Sequence, residues 1–126
     1  MSRLRGYLAL LSVFVLLLVS DVVQRFIVSP WVKLRPSSRI PVLGRWINAM
    51  AVVVTLPLRR IGDASMQFPS RIVPCEPGTL ILMNHQSVLD IPLVVKSVAG
   101  GYPRIVTRAR YRRFIPLISH MVRLYQ

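Results

Sequence analysis

The chain has 126 residues, with 17 Lys and Arg against 4 Asp and Glu, a formal net charge of +13, and 53% hydrophobic residues. Its single cysteine, Cys75, excludes an internal disulfide and with it a disulfide-stapled secreted domain. Nucleic-acid modules can be as basic but seldom also carry a long apolar stretch and a mean hydropathy of +0.53, whereas a protein on an anionic bilayer face needs both.

The first predicted element is apolar. Gly6 to Ser20 reads GYLALLSVFVLLLVS without a charge, and Asp21, Gln24 and Arg25 then interrupt a further apolar stretch that reaches Val28. A straight span needs about 20 mostly apolar residues, so this one crosses a bilayer only if its last turns are interfacial. A cleaved signal peptide is the competing reading, because Arg3 and Arg5 supply a positive n-region. The residues before Asp21 are Leu18, Val19 and Ser20, with no small-x-small pair, and an anchor is preferred.

The second apolar segment, Trp46 to Leu58, lies between Arg45 and the pair Arg59-Arg60. Its length predicts a re-entrant or interfacial segment, or one packed on the first helix, rather than a full span. Basic residues occur on both sides of the first segment, with Arg3 and Arg5 before it and Lys33, Arg35 and Arg39 after, so the positive-inside rule casts no vote. A shallow hairpin within one leaflet would let all of these charges face the same headgroups. The 10 prolines are expected mainly where elements start or stop.

From about Ile61 the pattern changes, dividing the chain into membrane-associated helices over 1–60 and a second region over 61–126. A turn at Glu76-Pro77-Gly78 precedes the apolar run Thr79 to Met83, which predicts a buried strand. Asn84 to Ser87 is polar; VLDIPLVVKSVA then predicts a helix ending before Gly100-Gly101, and YPRIVTR a second strand. Strand, polar turn, helix and strand make a βαβ unit, so the expected fold class is α/β behind N-terminal membrane-associated helices. The turn between strand and helix is where α/β sheets present ligand-binding side chains.

That turn holds His85, with Asp90 five positions on. Two structural explanations cover Asp90. Ser87 and Asp90 fit an S-x-x-D capping box, or Asp90 is itself the N-cap with Pro92 in the first turn. Neither accounts for His85. A carboxylate that holds one imidazole N–H leaves the other nitrogen as an acceptor aimed at a substrate hydroxyl, and stabilises the imidazolium that follows. No G-x-S-x-G elbow occurs, and none is needed if the acceptor alcohol itself attacks an activated acyl group.

NHQSVLDIP, residues 84–92, resembles the N-H-x-S-x-x-D block of the glycerolipid acyltransferases, the family of lysophosphatidic acid and glycerol-3-phosphate acyltransferases. RARYRRFIPLISHMVRLYQ resembles the segment leading to that family's second block, and the upstream membrane segments are also usual there. The resemblance implies direct transfer of an acyl chain from acyl-CoA, or from an acyl carrier protein, to a hydroxyl of a phosphate-bearing glycerolipid. His85 would be the general base and Asp90 its orienting carboxylate, with Asn84 and Ser87 shaping the turn. It implies a membrane location with the site facing the cytoplasm, and no cofactor beyond the acyl donor. The family's arginine-ending second block and F-P-E-G-T-R-like third block do not appear before Gln126, so the expectation is a truncated acyltransferase domain, weak or inactive alone.

Arg104, Arg108, Arg110, Arg112 and Arg113 form a basic cluster suited to CoA phosphates or lipid headgroups, or simply to a solvated face. His120 has no carboxylate near it in sequence and is expected to be structural, and no spacing suggests a metal site. The rival to the enzyme is a membrane-anchored protein that binds anionic lipid through these arginines.

Overall fold

The computed structural model describes residues 3–67, 72–74, 76–84, 86–87, 89–99, 103–106 and 108–125. It is mostly helical, with one two-stranded parallel sheet. Helix α1 (Arg3–Val23) runs through a π-helical turn (Gln24–Val28) into α2 (Ser29–Leu34), so that residues 3–34 form one long rod. The widened turn has a local cause. Pro30 has no N–H for the carbonyl four residues back, and just ahead of it the Ser29 N–H donates to the Gln24 carbonyl, five residues back.

A short 3₁₀ turn (Pro36–Ser38) reverses the chain into α3 (Arg39–Arg60), which packs antiparallel on α1. The pairing is traced by the Gln24–Trp46 hydrogen bond near the turn and by the approach of Gly62 to Ala9 at the open end. A Cβ on Gly62 would stand 2.7 Å from the Leu58 carbonyl oxygen and 3.3 Å from the Ala9 Cβ, so close contact there requires glycine. Both Arg3–Leu34 and Pro36–Arg60 are long and apolar enough to cross a membrane. The second helix is therefore longer than its uncharged segment suggested. Pro41 sits in its first turn, where a missing N–H costs nothing, and the helix continues through Pro57 to Arg60.

Large apolar side chains from Leu4 to Val22 stand exposed along α1. The buried apolar cluster lies instead at the turn end of the hairpin. There Val28, Val32 and Leu43 meet Trp46, Met121, Leu124 and Tyr125, bringing α5 (Ile118–Tyr125) onto the hairpin.

Two strand expectations are corrected. Residues 79–84 form no ladder, and Leu80 and Leu82 are 77% and 84% exposed. Residues 103–106 are irregular, with Val106 exposed; the flanking Tyr102 and Thr107 lie outside the described residues. An apolar run becomes a buried strand only where another backbone supplies its hydrogen bonds and another layer covers its side chains, and these two runs have neither among the described residues. The parallel pair forms nearby, between β1 (Val73–Pro74) and β2 (Val98–Ala99), in the register Val73 to Val98 and Pro74 to Ala99. Between them in sequence lies α4 (Asp90–Ser97), the expected helix, packed against α3 through a face that buries Pro92 and Val95. The βαβ order survives in miniature, with both strands displaced from where apolar runs pointed.

Candidate functional site

Asp90 opens α4, and its half-buried carboxylate turns back along the chain. One oxygen, Oδ2, accepts the backbone N–H of Gln86 at 2.8 Å and of Ser87 at 2.7 Å. Ser87 answers through its hydroxyl oxygen, which accepts the Leu89 N–H at 3.2 Å, and the Asp90 N–H returns to the Ser87 carbonyl at 3.0 Å. This is the reciprocity of a capping box, in which each side chain satisfies an orphan donor of the other's turn. A carboxylate at the first turn of a helix is also favourably placed against the positive end of the macrodipole. Of the two capping explanations the geometry follows the box: Ser87 and Asp90 cap together, Leu89 rather than Asp90 stands at the N-cap position, and Pro92, third in α4, falls where its missing N–H has no helical partner to lose.

His85 itself lies outside the described residues. Its neighbours do not. Asn84 is exposed, and Gln86, next in the chain to His85, is tied by its N–H to Asp90. The turn is consequently fastened to a helix that rests on α3 of the hairpin.

The basic cluster is dispersed over irregular backbone. Arg104, Arg108 and Arg113 are exposed, and Arg110 and Arg112 belong to the 3₁₀ turn Ala109–Arg112, which closes with the Tyr111 N–H on the Arg108 carbonyl. An open groove of about 490 Å³ lies elsewhere, between α1 and α3 near Arg60, and contains none of the NHQSVLD residues.

A polar centre not anticipated from sequence occupies the turn end of the hairpin. Gln24 is fully buried; its Oε1 accepts the indole N–H of Trp46 at 2.8 Å and its Nε2 donates to the Leu117 carbonyl at 3.2 Å. Asp21 Oδ1 accepts the Leu117 N–H at 2.7 Å, while Oδ2 pairs with Arg25 at 2.8 Å. Both backbone groups of Leu117, a residue held at φ 63°, are therefore satisfied by side chains of the first helix. At the other end of α5, the Arg39 guanidinium donates two hydrogen bonds to the Leu124 carbonyl. The only hint in the sequence was the i, i+3, i+4 spacing of Asp21, Gln24 and Arg25 inside an apolar stretch, which places them on one helical face.

His120 lies on α5, and the charged groups that act on it come from the hairpin as well as from its own helix. Its Nε2 is buried without a hydrogen-bond partner among the described residues. Burial lowers its pKa below the usual 6.5, and Arg123, Arg25 and Lys33 lower it further against the opposing pull of Asp21.

No protein-family model, curated protein or solved structure matches this chain.

Proposed function

We propose that this chain carries the general-base block of a membrane-associated O-acyltransferase acting on lysophosphatidic acid or a related glycerol phosphate. The observation that supports this reading most is the Asp90 carboxylate, which binds the turn next to His85 to a helix seated on an apolar hairpin. A lipid acceptor arrives from the membrane, so a base carried against membrane-competent helices meets it with little travel.

In the proposed reaction, neutral His85 takes the proton of the acceptor hydroxyl as that oxygen attacks the thioester carbonyl of acyl-CoA or acyl carrier protein. The tetrahedral intermediate collapses, the C–S bond breaks, and the departing thiolate takes the proton back from His85. Asp90 orients the imidazole and balances the imidazolium, the part a buried carboxylate plays in hydrolytic triads. Asn84 and Ser87 shape the turn. Arg108, Arg110, Arg112 and Arg113 attract the phosphates of donor or acceptor.

The test is acyl transfer from acyl-CoA to lysophosphatidic acid in membranes from cells producing the chain, beside the His85→Ala variant. Transfer above an empty-vector background that vanishes in the variant supports the reading. Absence of transfer to every glycerol phosphate acceptor, both in this chain and in a fusion that supplies the missing second and third blocks, with vesicle binding retained, favours the rival, an anchored protein that binds anionic lipid. The exposed positions of Arg104, Arg108 and Arg113 are the feature that speaks for that rival.

A further inference from the structure

The groove between α1 and α3 has a lining and a rim that differ sharply in character. Leu11, Val15 and Leu16 form one wall and Leu56 and Pro57 the other, with the exposed Arg60 at the end. Ser12 also borders it, but its hydroxyl donates to the Leu8 carbonyl at 2.8 Å and asks nothing of an occupant. The close contact of Gly62 with Ala9 draws the helices together at their open end, beside the groove.

We propose that this groove holds an acyl chain of an anionic bilayer phospholipid whose phosphate sits on Arg60. The two helices that form it are long and apolar enough to cross a membrane, where the surrounding solvent is hydrocarbon. Water in such a groove would find almost no hydrogen-bonding partners, while an acyl chain loses nothing by entering. The charge at this end selects the headgroup. Arg3 and Arg5 begin α1, Arg59 and Arg60 end α3, and Asp63 follows three residues after Arg60. An arginine in a last helical turn lays its methylene stem on apolar neighbours and lifts its planar donor fork toward the headgroup layer, where a phosphate can be met by two parallel hydrogen bonds. A soluble anion would use Arg60 but not the apolar walls, and a zwitterionic lipid would use the walls with little gain from the excess positive charge. An anionic phospholipid uses both. The site is independent of the acyl-transfer reading, because it requires neither His85 nor Asp90.

The experiment places the full chain in lipid nanodiscs containing phosphatidylglycerol or phosphatidylcholine with a photoreactive diazirine in the acyl chain, and maps the adducts by peptide mass spectrometry. Adducts concentrate on the lining residues Leu11, Val15, Leu16, Leu56, Pro57 and Ile61, with the anionic lipid ahead by about fivefold, the equivalent of the roughly 1 kcal/mol that one basic residue is worth near an anionic bilayer. Arg60→Gln brings the two lipids to parity, and Leu56→Trp, which fills the groove, removes the concentrated adducts with either lipid. Adducts spread evenly over outward positions of α1 such as Phe14 and Val22, equal yields from the two lipids, or a preference unchanged in Arg60→Gln would each overturn the proposal. Helicity measured on the same samples identifies any unfolding by Leu56→Trp, and the exposed Arg60 substitution then carries the decision.

Discussion

Asp21 and Arg39, one from each arm of the hairpin, hold opposite ends of the same eight-residue helix, α5. The signs are matched to the helix: a carboxylate takes the Leu117 N–H just before the first turn, and a guanidinium donates to the Leu124 carbonyl in the last. A helix this short is not stable in isolation, so its order depends on these clamps and on the apolar contacts of Met121, Leu124 and Tyr125.

Loss of the N-terminal clamp should free α5 while leaving the hairpin intact. Asp21→Ala removes a capping acceptor and an ion pair and is expected to cost about 1 kcal/mol, within the range for such caps. Hydrogen exchange checks this: amides of residues 118–125 should exchange faster, and those of α1 and α3 unchanged. Uniform acceleration across all three helices would contradict the separation.

Gln24 should be less replaceable than any exposed polar residue of the first helix. Gln24→Leu keeps the bulk but strands the Trp46 indole N–H, at roughly 1–3 kcal/mol for a buried donor left unmade, and leaves the Leu117 carbonyl with the Met121 N–H alone. Thermal unfolding in detergent, followed by tryptophan emission, should show a lowered midpoint. An unchanged midpoint would mean that these groups find other partners.

The docking of α5 should weaken in mild acid. His120 has its pKa lowered in the folded chain, so below 6.5 the unfolded or undocked state binds more protons and the stability contribution falls as pH falls. Asp21 favours the charged form while Arg25, Lys33 and Arg123 oppose it, and the net direction is downward. Exchange of α5 amides, corrected for intrinsic rates, should rise as pH drops from 7.5 to about 5.5, and His120→Gln should flatten that rise.

Two roles of Asp90 can be separated by a single atom. Asp90→Asn retains an oxygen to accept from Gln86 and Ser87 but loses the charge, so helicity of α4 should persist while acyl transfer drops on the order of 10³–10⁴-fold. Ser87→Ala should do the reverse, costing about 1 kcal/mol of cap with far less effect on rate. Equal loss of transfer in both variants, tracking loss of helicity, would reduce Asp90 to a cap.

Phe114 offers a test of backbone strain. It is 97% exposed at φ 69°, a conformation that costs a side chain with a Cβ about 1–2 kcal/mol. Phe114→Gly should therefore raise stability by up to about 1 kcal/mol after the entropy cost of glycine, read as a higher unfolding midpoint.

How far the sequence reached can be judged residue by residue. The apolar arms of the hairpin, the start of α4 at Ser87 and Asp90, and the end of that helix before Gly100-Gly101 were legible because each depends on neighbours within a few positions: continuous hydropathy, a capping spacing, a glycine pair. The strands were misplaced because Thr79 to Met83 has the composition of a strand, while pairing depends on which backbone lies alongside, and Val73 with Val98 supplied it. The roles of Asp21, Gln24 and Arg39 were invisible for the same reason, since their partners lie 96, 93 and 85 residues away. The amino-acid sequence by itself determined that two apolar helices precede a capped turn bearing His85 and Asp90, because local periodicity and capping chemistry act within a few residues. Only the tertiary structure decided that the first helix carries a polar clamp for the last and that the capped helix rests on the hairpin. Those arrangements exist only once chain closure brings distant backbone groups to the side chains that satisfy them.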